Sequence, residues 1–188
     1  MDLWTPPLSR AWAILALAAL ASLPAASAGA DEPMFEIGLQ DGRKKYDSKL
    51  FGFSIIPPRG WNVKMSAKKV EFVRMGSTGV MEMLVITFAK PEPGKEVGDI
   101  ATDHMFYEKA PYDNTYKFIG LSGADIDGYE AVCMRDQRKI QNVLFEGAQY
   151  FVLHKGVVYL LAFEAPPVVF QQNQGEYARI AATFQPRG

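Results

Sequence analysis

The sequence predicts an α+β fold with a central antiparallel sheet flanked by helices. Three observations predict it. Four β-rich runs follow one another: Tyr116 to Ser122, Ile126 to Asp136, Ile140 to His154 and Val157 to Glu164. Their short connections make antiparallel hairpins, not parallel crossovers. Val97 to Lys109 places Ile100, His104 and Tyr107 on one stripe at helical spacing. Val169, Phe170, Tyr177, Ile180, Ala181 and Phe184 outline a second helix with one apolar face.

Met1 to Ala30 reads as an export signal. Arg10 closes a short n-region, Ala11 to Leu23 is almost wholly apolar, and Pro24 breaks it. Small residues then offer cleavage after Ala28 or Ala30. The apolar run is about thirteen residues, whereas a membrane-spanning helix needs roughly twenty. Residues 1–30 hold no cysteine to carry a lipid, so the expectation is a periplasmic or secreted protein. That protein has no lipid anchor and no membrane span once the signal is removed. Residues 31–49 form the mature N-terminal segment, and residues 50–188 are read as one domain.

Leu50 to Ile56 is aromatic and β-branched, and Pro57-Pro58 stops it. Arg59-Gly60 turns the chain into Trp61 to Lys64. Val70 to Met75 and Val80 to Phe88 follow, separated by the turn chemistry of Gly76-Ser77-Thr78-Gly79. These three strands read as a meander. Pro91-Glu92-Pro93-Gly94 breaks the pattern before the first helix, and Pro111 ends that helix. In the second half, Asp127-Gly128 bends the second run or turns into it. Arg138-Lys139 and Lys155-Gly156 separate the later runs. Val157 to Glu164 is apolar on both faces and belongs in the middle of the sheet. Pro166-Pro167 ends it, and Gly175 weakens the closing helix locally.

Composition narrows the role. Net charge is −1 and the basic residues are spread along the chain, which argues against a nucleic-acid partner. Cys133 is the only cysteine, so no internal disulfide is possible. It lies in the apolar stretch Ala131-Val132-Cys133-Met134 and is expected to be buried.

Several constellations could carry chemistry. Gly120-Leu121-Ser122-Gly123-Ala124 approximates a nucleophile elbow, with Asp127 or Asp136 and then His154 in hydrolase order. An elbow needs a helix directly after the serine, and here another strand follows. His104 and His154 are the only histidines, too few for a tetrahedral zinc site. Asp125, Asp127 and Glu130 surround a turn but lack the spacing of a calcium loop. The alternative is a hairpin whose aspartates cap backbone amides. Met65, Met75, Met81 and Met83 form a soft-ligand set for Cu(I), or they fill core gaps. Phe35, Tyr46, Phe51, Phe53 and Trp61, with Tyr107, Tyr112 and Tyr116, serve either the core or a groove for a ligand or peptide.

Two segments carry a family resemblance. Phe51-Gly52-Phe53-Ser54-Ile55-Ile56-Pro57-Pro58-Arg59-Gly60-Trp61 resembles the opening strand of the PsbP-like superfamily, with one extra residue before its glycine and tryptophan. Val157 to Ala165, then a helix closing on Ala182-Thr183-Phe184, resembles that group's last strand and terminal helix. The order of elements agrees over roughly residues 50 to 184. The resemblance implies an antiparallel sheet flanked by helices and a role through a protein partner. No catalytic motif is shared by the group, so no site residues and no cofactor are carried over. The function expected is that of an exported non-catalytic accessory or binding protein. The alternatives are a periplasmic small-ligand or metal carrier, for copper or calcium, and an unrecognised hydrolase.

Overall fold

The structure, a computed structural model, describes residues 35–39, 42–66, 68–75, 79, 81–109, 114–140 and 142–187. The export signal at 1–30, the turn at 76–78, Pro111 and Tyr112 lie outside the described residues. The side chains of Phe35 and Tyr107 do so as well.

Among the described residues there are two antiparallel sheets and two helices. Four strands form the smaller sheet: β1 (Phe35–Gly38), β2 (Lys44–Ser48), β3 (Phe53–Ile55) and β11 (Gln185–Pro186), in the order β1-β2-β3-β11. The larger sheet has seven strands. They are β4 (Asn62–Met65), β5 (Lys69–Met75), β6 (Met81–Ala89), β7 (Lys117–Ile126), β8 (Tyr129–Ile140), β9 (Val143–His154) and β10 (Val157–Ala165). Their spatial order is β4-β5-β6-β10-β9-β8-β7, which puts β10 in the middle. Helix α1 (Val97–Asp103) continues through a π-helical segment, His104–Lys109, and α2 (Pro167–Ala181) follows β10.

The sheet is therefore two meanders joined through β10, as alternating patterns with short connections dictate. Two tight turns fix the register of the second meander. Asp127-Gly128 (φ 52° and 81°) and Lys155-Gly156 (φ 48° and 72°) each put two successive residues in the left-handed region. That is the hairpin geometry matching the twist of the flanking strands.

Three element boundaries differ from the sequence reading. Leu50, Phe51 and Gly52 form a turn, and only Phe53–Ile55 is strand. Gly52 has φ 65°, and a Cβ there would meet the Tyr159 hydroxyl at 3.2 Å and the Arg187 carbonyl at 3.3 Å. The run expected to stop at Ser122 continues through Gly123 and Ala124 to Ile126, so Asp127-Gly128 is the whole turn into β8. Arg138-Lys139 lies inside β8, paired with Phe145 and Leu144. The left-handed residue is Asn142 (φ 67°).

The larger sheet is covered on both faces. One face packs against α2 and the small sheet around Phe72, Leu84, Tyr159, Leu161, Phe163, Phe170 and Tyr177. Tyr46 of β2 belongs to this core, its ring 5.2 Å from that of Phe72. The other face packs against α1 through Val97, Ala101, Met134, Phe151, Val158 and Leu160. Each large apolar side chain fully buried this way is worth about 1.5–3 kcal/mol.

Cys133 is buried on the α2 face. Burial pushes its thiol up, against smaller opposing effects from a Tyr150 hydrogen bond and the Arg135 charge. The thiolate is the reactive form. A disulfide reagent is therefore expected to label Cys133 at least tenfold more slowly in native protein than in urea. Equal rates would show an accessible thiol.

Candidate partner-binding surfaces

The loop Pro57-Pro58-Arg59-Gly60 joins the small sheet to the large one. It walls an open cleft of about 380 Å³ together with Gly42, Lys44, Tyr46, Trp61 and Asn62. Two successive prolines hold this loop extended. Gly60 (φ 79°) then reverses the chain into β4. Tyr46 and Trp61 form buried walls, while Lys44, Arg59 and Asn62 are exposed at the rim. Lys44 is held 2.7 Å from Glu36. Arg59 has no acidic partner among the described residues, and its guanidinium lies over Gly42, where a Cβ would meet Nη2 at 2.9 Å. The Trp61 indole N–H meets no acceptor among the described residues, and Arg74 stacks over its ring at 5.3 Å. Chemically, the cleft offers aromatic walls, a cation with no acidic partner among the described residues, and hydrogen-bond donors.

Within the large sheet, the buried charged groups of the described residues lie away from the cleft, in three clusters. Under α2, Glu82 accepts bonds from Arg74 Nε (3.0 Å) and Nη2 (2.8 Å), from Asn173 (2.9 Å) and from the Tyr177 hydroxyl (2.7 Å). Burial pushes Glu82 up, but the bonds from Arg74 and Tyr177 and the Arg74 charge outweigh it and hold the carboxyl below its ordinary value. Tyr177 is raised by burial and by donating to that carboxylate. On the same sheet face Glu146 is paired with Arg135, whose guanidinium sits 4.7 Å over the Phe170 ring.

On the opposite face, Asp136, Gly147 and Glu164 form one row across β8, β9 and β10. Gln149 donates to Asp136 at 2.7 Å, and Arg138 pairs with Glu164. Nearby Tyr116 is raised by burial and by the Asp136 charge. Buried charges persist only when paired and hydrogen-bonded, and each cluster supplies such partners.

The sequence-predicted constellations do not assemble. Ser122 shares a row with Cys133, whereas Asp136 projects from the other face of the sheet. His154 packs its ring on Tyr129, whose row holds Ile126, four strand residues or about 13 Å from Ser122. The two histidines lie on opposite faces: His104 packs on Phe151, at 5.3 Å between rings, in the α1 core. At the candidate calcium turn, Asp125 caps the Gly128 backbone N–H at 3.0 Å, while Asp127 accepts from the Gln185 side-chain amide at 2.9 Å. The methionine set divides. Met75 pairs with Met81 and Met83 follows on the same face, while Met65, paired with Val70, lies on the other. Among the described residues no group of three or more His, Cys, Asp and Glu is placed to hold a metal ion.

Sequence reasoning missed the Arg59 cleft as a unit, because Lys44 and Tyr46 come from a segment read as outside the domain. The one signal was the extra residue in Pro57-Pro58-Arg59-Gly60.

No family model and no curated protein matches the chain. Solved structures do. Cyanobacterial PsbP from Synechocystis matches with TM-score 0.59 at 14% identity, over 86% of this chain and 98% of that one. The chain has a PsbP-like fold. PA94, a Pseudomonas aeruginosa protein of unknown function, matches with TM-score 0.57 at 15% identity, covering 82% and 98%. The Ran-binding protein Mog1p of Saccharomyces cerevisiae matches with TM-score 0.53 at 6% identity, covering 77% and 95%. At these identities the PsbP-like likeness concerns the fold alone, and function has to be argued from the surfaces above.

Proposed function

We propose that this chain is an exported, non-catalytic accessory protein that acts by binding a protein partner in the Arg59 cleft. The observation that carries the reading is the cleft's chemistry. Trp, Tyr and Arg are the residue types that dominate binding energy at protein interfaces, and here they line one concavity, with Arg59 lacking an acidic partner among the described residues. A carboxylate on an extended, partly apolar segment suits that rim by charge. The buried carboxylates supply support of another kind: their partners are internal, so they serve the fold. The Ran-binding description of one structural neighbour is in keeping with a partner-binding role. No helix among the described residues is long and apolar enough to cross a membrane.

The test is co-purification from the native cell envelope followed by native mass spectrometry, comparing wild type with Arg59→Glu. The expected result is a stoichiometric protein partner held by wild type and weakened by tenfold or more in the variant. A partner retained equally by both would remove the cleft from the reading. An added small mass in place of a protein would replace the partner with a ligand.

A further inference from the structure

β7 is the outermost strand of the large sheet, and among the described residues no strand pairs with its outer edge. It is ten residues long and exposed over most of that length. Phe118, Ile119 and Leu121 are 41%, 46% and 43% exposed. A free edge presents a row of unpaired N–H and C=O groups, and proteins blunt such edges with proline, inward charges, bulges or short strands. β7 has no proline and is long; it carries Lys117 only at its first position, and a bulge at Ile119 lies between the pairs Phe118–Asp136 and Gly120–Arg135. The opposite edge, β4, is only four residues long and carries the exposed Lys64.

The bulge decides which side chains align. Phe118 shares a row with Asp136, Leu121 with Met134 and Gly123 with Val132. Because Ile119 is the extra residue, Phe118, Leu121 and Gly123 all project from one face despite their odd spacing.

We propose that β7 pairs antiparallel with β7 of a second copy of this chain, about a two-fold axis at Leu121, joining two seven-stranded sheets into one. The strand is self-complementary in that register. Leu121 meets Leu121 of the second copy. Phe118, with bulged Ile119 beside it, falls opposite Gly123, so the largest side chain meets the smallest residue, twice. Gly120 falls opposite Ser122. Charge complementarity selects the direction: antiparallel pairing brings Lys117 of each copy to the Asp125 end of the other. Parallel pairing would gather like charges. A second copy supplies this pattern by symmetry, and a two-fold contact closes on itself without building fibres. The contact is at the small end of interface sizes, so the dimer forms in the micromolar range or above.

Analytical ultracentrifugation from low micromolar to near-millimolar protein, purified after export, tests this. Wild type should show a monomer–dimer equilibrium. Leu121→Lys sets two ammonium groups face to face on the axis and should abolish the dimer while circular dichroism stays unchanged. Lys117→Asp should weaken the dimer at least tenfold. In a register control, Leu121→Cys should oxidise to a covalent dimer, and Gly120→Cys, which faces Ser122, should not. A monomer at every concentration overturns the proposal. So does a dimer that survives Leu121→Lys, or equal crosslinking at both positions. None of these outcomes depends on the Arg59 cleft.

Discussion

Arg74→Ala should destabilise the protein by about 3–5 kcal/mol at neutral pH, the cost of stranding a buried carboxylate. Arg74 grips both Glu82 oxygens, at 3.0 and 2.8 Å, and also approaches Glu176 at 3.6 Å. Glu82 is only 4% exposed, beneath α2. Removing the guanidinium leaves that carboxylate with two neutral donors, Asn173 and Tyr177, and takes the cation from the Trp61 ring. Glu82→Gln in the Arg74→Ala background should recover part of the loss by removing the charge.

The pH dependence has a definite sign. In wild type the native Glu82 value is depressed below about 4.5, so its stabilisation is present above that value and is lost as pH falls through the native one. Without Arg74, burial pushes the native value up. The charged form is then a penalty that protonation relieves. The gap between wild type and variant is therefore largest at pH 7 and narrows as pH drops through the mid-4s. Urea unfolding at both pH values reads it, and an unchanged gap would mean that Arg74 stabilises by packing alone.

Gly147→Ala should cost about 2–4 kcal/mol for the smallest possible side-chain change. Gly147 sits between Asp136 and Glu164 in the middle of the sheet. A Cβ there would lie 2.5 Å from Asp136 Oδ1 and 3.4 Å from the Phe163 carbonyl. Asp136 cannot yield cheaply, because it is buried and holds the 2.7 Å bond from Gln149, itself 1% exposed. The new methyl must break that bond or spread the strands. Gly120→Ala, on the open edge with nothing within 4 Å, should change stability by no more than about 0.5 kcal/mol. Thermal unfolding of the pair separates steric cost from the general effect of alanine in a strand. Similar losses at both sites would contradict the steric account.

The central position of β10 was legible because both its faces are apolar, and a strand walled on each side has no other place. The Lys155-Gly156 hairpin and the Val97–Lys109 helical span were legible from local chemistry. Other features were hidden by interior charge. Arg138 reads as a turn residue but is an inner strand position paired with Glu164, and no local pattern marks a partner 26 residues away. Gly123 and the residues after it read as a break following Ser122 because weak strand formers are common in loops, yet here they belong to an edge strand held on one side. The small sheet was hardest. Its strands are short, Lys44-Lys45 looks solvated, and β11 contains a proline. The candidate cleft inherits that difficulty, since two of its walls come from this sheet.

The small sheet also sets an order of assembly. Ser54 in β3 meets Gln185, 131 residues later, and the Arg187 N–H donates to the Gly52 carbonyl at 2.7 Å. A chain emerging from its N-terminus makes β3 early and its neighbour β11 much later. The outer edge of β3 therefore waits, unpaired, until β11 arrives. Sequence-distant pairings of this kind close slowly. Any chain delivered N-terminus first keeps this sheet open until residues 185–187 have followed, 131 residues after Ser54, so delivery of the intervening chain and closure of the sheet are separated in time.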